Sequence, residues 1–169
     1  MRTKFPWLKF VLGYLLYLFF HEADRILPGV LGRILGEGFE SVYAHMKMLF
    51  YSYLILSIID YFRLRSRGLP ASFLYARMLI LAAVPWMMIA TYYALEAVGI
   101  TLPHAADITW AIISTAFGLY LSIRLEEPLE GLELRPALKS LIVVVFLTAF
   151  ITYVGFSFHV PDNFFIAPD

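Results

Sequence analysis

Pro136 to Phe156 reads PALKSLIVVVFLTAFITYVGF, an almost unbroken apolar run whose single charge, Lys139, sits beside its start. A hydrocarbon core of ~30 Å takes about 20 helical residues to cross, and this stretch has that length. Lipid offers backbone N–H and C=O groups no partners, so the run must satisfy its own hydrogen bonds as a helix. Four further stretches read the same way, at about Trp7–Leu27, Val42–Phe62, Phe73–Val98 and Ile108–Leu125. Pro6 and Pro28-Gly29 bracket the first of them. Ser41 and Asp107 stand as N-caps of the second and fourth, and Pro85 predicts a kink in the third. The sequence therefore predicts an all-α integral membrane bundle of five transmembrane helices, a single domain over residues 1–169.

Composition agrees. Of 169 residues, 61% are hydrophobic and 15% charged, with a mean hydropathy of +0.76, whereas a soluble domain is nearer half apolar and a quarter charged. A chain of this size has too little interior for so many large side chains, which makes the lipid bilayer its first partner. A formal charge of zero excludes nucleic acid as a partner, since that needs a basic surface. The absence of cysteine excludes disulfides and thiolate metal sites. Arg2, Lys4 and Lys9 precede an apolar run in the manner of a signal peptide, but the run ends in Phe19, Phe20, His21 and Glu22. A cleavage site needs small residues there, so this helix is expected to be retained.

Cations set the orientation. Arg2, Lys4 and Lys9 flank the first helix, Arg63, Arg65 and Arg67 follow the second, and Arg124, Arg135 and Lys139 bracket the loop before the fifth. Five spans put these regions on one side, which the positive-inside rule makes the cytoplasm. The N-terminus is then cytoplasmic and the C-terminus outside, as expected of a multi-pass protein in a bacterial or archaeal plasma membrane. The segment PGVLGRILGEGF, residues 28–39, is too short to span and reads as an interfacial helix. Its Gly32-x-x-x-Gly36 spacing lacks the apolar span that a helix-dimer motif requires. RLEEPLEGLELRP, with Glu126, Glu127, Glu130 and Glu133, reads as a solvated cytoplasmic loop.

In this topology His21, His45, His104 and His159 all fall on the outer side, joined by Glu22, Asp24, Glu40, Glu96, Asp107 and Asp162. Helical phase aligns Tyr14, Tyr17 and His21, then His45 with Ser52, and Tyr92 with Glu96. It also aligns Asp107, Ser114 and Gly118, and finally Thr148, Thr152, Gly155 and His159. An ionised group at membrane depth costs ~2.5–3.5 kcal/mol even on the mildest scale, so these stripes are expected to face inward around a polar pocket. The expected pocket residues are His21, Glu40, Ser41, His45, Glu96, Asp107, His159 and Asp162. The bland alternative is that each ring is an amphipathic interface residue and each small residue a helix contact. Lys47 lies about 200° from His45 around a helix, so it snorkels or meets a different helix. Asp60 and Arg77 lie at similar depths towards the inner side and read as a structural ion pair.

Motifs narrow the chemistry. HEADR at His21 starts like a zinc-protease HExxH, but Arg25 cannot be the second ligand. GFSFH at Gly155 only begins like a nucleophile elbow, and no strand precedes it. His21, His45 and His159 with Glu40 or Asp162 offer the imidazole and carboxylate ligands that a divalent metal such as zinc accepts. Haem is disfavoured, because His21 and His45 have no paired histidine in the inner half.

The stretch ESVYAHMKMLFYS, Glu40 to Ser52, resembles a family of small, uncharacterised multi-pass membrane proteins of bacteria. Members carry N-E-S-x-x-E-H-x-K-L-x-F-F at the start of the second helix. Glu40, Ser41, His45, Lys47 and Phe50 match, while Phe39 and Ala44 stand where the family has Asn and Glu. The aromatic tail FSFHVPDNFFIAPD is similar to the family's ending. The resemblance implies the five-span layout and no particular activity.

The leading expectation is a binding or permease-like membrane subunit whose outward His/carboxylate pocket holds a small ligand or metal. A metal-dependent or acid–base hydrolase acting on lipid, with His45 and Glu40 as catalytic candidates, is the rival. The third reading is an accessory subunit of a larger membrane complex. Five helices are few for a sealed pathway, so a homo-oligomer or other membrane subunits are expected partners.

Overall fold

The computed structural model describes residues 5–36 and 41–158. Three of the expected site residues, Glu40, His159 and Asp162, lie outside the described residues, as do Arg2 and Lys4.

Every element is helical: α1 (Trp7–His21), α2 (Ala23–Ile26), α3 (Gly29–Leu35), α4 (Val42–Leu64), α5 (Phe73–Tyr92), α6 (Ala94–Ala97), α7 (His104–Glu130) and α8 (Pro136–Phe156). A 3₁₀ turn over Arg65–Arg67 extends α4. Gly68 then turns the chain with φ at +86°, a region open to glycine. Among the described residues four helices, α4 with its turn, α5, α7 and α8, are long and apolar enough to cross a membrane. The fifth candidate, α1, is apolar but has 15 residues, and Glu22 interrupts it before α2. At 1.5 Å per residue it is ~22 Å long, short of a full crossing.

The surface supports a membrane setting. Leu8, Leu15, Val30, Val98, Val144 and Ile151 are among many large apolar side chains exposed along the helices. Water does not tolerate a shell of that extent on a monomer. The centre is α4, with 67% of its most apolar stretch buried, against 11% for α8. On one side of α4 lies α1, on the other α5, and α7 packs on all three, while α8 leans on α5.

Local chemistry accounts for several boundaries. Pro136 opens α8 at its first turn, where its missing N–H costs nothing. Ser41 caps α4, its Oγ accepting from the Ala44 N–H at 3.0 Å. Ser41→Ala should therefore cost about 1 kcal/mol of stability, measurable as a lowered unfolding midpoint in detergent. Asp107 is not the cap of α7. Pro103, in extended conformation, precedes the helix, which gains a turn and places Asp107 inside it. There the carboxylate still complements the positive helix end.

One expectation is corrected at the other end of α7, and another at the end of α5. The helix runs through Pro128 to Glu130, so Glu126, Glu127 and Glu130 belong to a helix and only Glu133 stays in an exposed loop. The third expected span also breaks early, at Tyr93, with α6 following as a short separate turn. The interfacial segment does form a helix, α3. Its glycines serve packing: a Cβ on Gly32 would lie 2.3 Å from the Leu27 carbonyl oxygen, and one on Gly36 2.3 Å from the Asp24 nitrogen.

Candidate functional site

Polar groups gather at both ends of the bundle. At the His21 end, α1 and α4 bring His21 and His45 together, ring centroids 6.0 Å apart and nearly edge to face. Tyr17, one turn before His21, closes on His45 at 6.4 Å. His45 Nδ1 lies 2.8 Å from the Ser41 carbonyl oxygen. A carbonyl only accepts, so Nδ1 carries the proton and the neutral ring has its lone pair on Nε2. His21 Nδ1 lies 3.3 Å from Glu22 Oε1, and Arg25 donates to the other Glu22 oxygen at 2.8 Å. The His21 hydrogen bond and the Arg25 charge hold the Glu22 carboxyl below the usual carboxylate range. Glu22 is therefore an acceptor at neutral pH, and it fixes His21 in the same tautomer as His45.

The other residues expected on the outer side sort elsewhere. Asp107 accepts from the Tyr92 hydroxyl at 3.0 Å on each oxygen, and Trp110 Nε1 donates to the Tyr92 carbonyl at 2.9 Å. This cluster ties α5 to α7. Burial and then the charges of Glu96 and Asp107 push the neighbouring Tyr93 phenol up, so Glu96, itself exposed, belongs to that group. His104 is exposed at the start of α7.

Ser52 does not share a pocket with His45. Its hydroxyl folds back on the Met48 carbonyl at 2.6 Å, satisfied within its own helix. Thr148 and Gly155 are exposed on α8, because that helix turns Tyr153 inward instead. Gly118 admits Leu49 and Met88, the packing role expected of a small residue. Lys47, away from His45 as its phase requires, donates to the Arg33 carbonyl and to Ser157 Oγ, both at 3.1 Å.

Of the eight expected pocket residues, the structure brings three together: His21, Ser41 and His45. Among the described residues no three His, Asp or Glu side chains converge as a metal would need. The expected metal set of His21, His45, His159 and Glu40 draws half its members from outside those residues. The same holds for the His45–Glu40 catalytic pair.

The Lys9 end holds a second, denser constellation. Lys9 from α1, Tyr53 and Asp60 from α4, Arg77 from α5, and Glu126 and Glu130 from α7 form one network. Glu126 Oε1 receives Lys9 at 2.5 Å, Tyr53 at 2.9 Å and the Arg77 guanidinium. Asp60 Oδ2 receives Lys9 and, at 3.5 Å, Arg77. Glu130 Oε1 forms an ion pair with Arg77 at 2.6 Å but has no hydrogen-bond donor among the described residues. The Tyr53 hydroxyl links the two sides, accepting from Arg77 at 2.7 Å.

All five ionisable side chains are largely buried, from 6% exposed for Arg77 to 15% for Glu130. The Asp60–Arg77 pair expected from depth is present, embedded in something larger. Sequence reading missed Lys9, Tyr53, Glu126 and Glu130 as members. The available signal was spacing, since Glu126 and Glu130 stand one helical turn apart on one face.

Comparison of the chain with family models, with curated proteins and with solved structures finds no match.

Proposed function

We propose that the protein is a five-span plasma-membrane protein with a cytoplasmic N-terminus, acting as a binding or permease-like subunit whose outward end holds a small ligand. The observation that carries this is the His21–His45 pair: two imidazoles from different helices, 6.0 Å apart, each with Nδ1 already committed. Outer partners that fix a ring's tautomer are what ligating histidines characteristically have. A metal is the ligand class that would need Glu40 or His159 in addition. The likeness of Glu40–Ser52 to small multi-pass bacterial proteins belongs to the same reading.

Native mass spectrometry of the purified protein, with elemental analysis alongside, tests it. The wild type should carry a bound small molecule or metal that is lost in both His21→Ala and His45→Ala, with folding retained. Identical adducts in wild type and both variants would rule out a site at this pair.

A further inference from the structure

The network at the Lys9 end is unbalanced. It contains three carboxylates, Asp60, Glu126 and Glu130, but two cations, Lys9 and Arg77, all drawn from helices that pack directly on one another. With every group ionised it would hold one uncompensated negative charge between apolar helices, an arrangement that a low-dielectric setting strongly disfavours. A bound positive species would relieve that excess. A metal ion does not fit, because among the described residues no three carboxylates or histidines converge on a common ligand position. The species that needs no such convergence is a proton.

The contacts also say where it sits. Glu126 receives three donors and Asp60 two cations, whereas Glu130 receives Arg77 alone. The carboxylate with the least cationic support takes a proton first. Glu130 is moreover the last residue of α7, where the negative end of the helix dipole opposes a carboxylate. The charged and titratable groups facing it are Lys9 from α1, Tyr53 and Asp60 from α4, Arg77 from α5, and Glu126 from its own helix. We propose that this network is a binding site for one exchangeable proton, taken from the aqueous phase at that end and held on Glu130. The Tyr53 hydroxyl, bonded to both Arg77 and Glu126, belongs to the same network. The proposal is independent of any ligand at His21 and His45, and it would make the protein proton-linked whatever that ligand is.

Difference infrared spectroscopy of the full chain in lipid reads the protonated carboxyl directly, through its C=O stretch. At neutral pH the wild type should show one carboxylic-acid band that shifts in D₂O and disappears at alkaline pH. Glu130→Gln should abolish it. Asp60→Asn, which leaves Glu130 in place but balances two carboxylates against two cations, should abolish it too. Lys9→Met should double it, since three carboxylates then face Arg77 alone. Asp60→Asn keeps size and shape, so the charge-balance test survives if Lys9→Met does not fold. A wild type without the band overturns the proposal. So does a band that persists in Glu130→Gln or Asp60→Asn, or one of wild-type intensity in folded Lys9→Met.

Discussion

Arg77→Met should destabilise the folded bundle by about 3–5 kcal/mol, the range for removing one partner of a buried ionic group. The guanidinium is the hub of the Lys9-end network, bonding Tyr53 and all three carboxylates from a side chain only 6% exposed. It also lies over the Phe73 ring, 4.8 Å from the centroid. Methionine keeps most of the volume and the apolar contact with Phe73, so the loss isolates the charge. Three carboxylates would then share Lys9. Arg77→Lys is not a mild substitute, because one ammonium cannot reproduce a planar fork that spans separate carboxylates.

Reversible unfolding in mixed detergent micelles gives the number. Adding Glu126→Gln to Arg77→Met returns the network to its original net charge and should recover more than half of the loss. A cost below about 1 kcal/mol for Arg77→Met would place the network in the class of solvated surface pairs. The double variant falling further still would show that geometry, not charge, is what Arg77 supplies.

That network marks the boundary of what the sequence could reveal. Segments with uniform local chemistry were legible. α8 begins and ends where its apolar run does, because Pro136 starts it and its single charge, Lys139, lies near that start. Ser41 announces the start of α4 through the hydrogen bond its side chain makes. RLEEPLEGLELRP was misread as a loop because four glutamates and two prolines in a short stretch satisfy every local rule for solvated chain. What keeps Glu126 and Glu130 helical and buried is compensation by Lys9 and Arg77, far away in sequence and on other helices. Local pattern carries no trace of such partners.

The His21 end shows the opposite error. Depth was read from topology, and depth does group His21 with His45. Rotation about each helix axis was not readable, since packing of neighbours sets it. α8 turns Tyr153 inward, where its ring lies tilted against Phe50 at 4.8 Å, rather than its threonine stripe. Asp107 finds the Tyr92 hydroxyl instead of an imidazole. A shared depth is a necessary condition for a site, and azimuth decides which residues meet.

Gly32→Ala should destabilise by about 3 kcal/mol, near the upper end of what overpacking costs. Gly118→Ala, by contrast, should be close to neutral. The two glycines differ in what a new methyl would strike. At Gly118 the nearest atoms are Leu49 Cδ2 at 2.9 Å and Met88 Cβ at 3.1 Å. The leucine tip can rotate away, and alanine's advantage over glycine inside a helix, about 1 kcal/mol, offsets the repacking. At Gly32 the methyl meets backbone, 2.3 Å from the Leu27 carbonyl oxygen and 3.2 Å from the Ala23 carbonyl oxygen. Those atoms are held by α2 and its exit turn, so α3 itself must move. The next residue, Arg33, offers the carbonyl that accepts from Lys47 Nζ at 3.1 Å. Displacing α3 therefore uncovers an ammonium that is 2% exposed in the native fold. Labelling with an amine-reactive reagent should leave Lys47 protected in the wild type and in Gly118→Ala, and modify it in Gly32→Ala. Equal stability losses in the two variants, or a Lys47 still protected in Gly32→Ala, would mean that the α2–α3 contact does not hold the His21 end together.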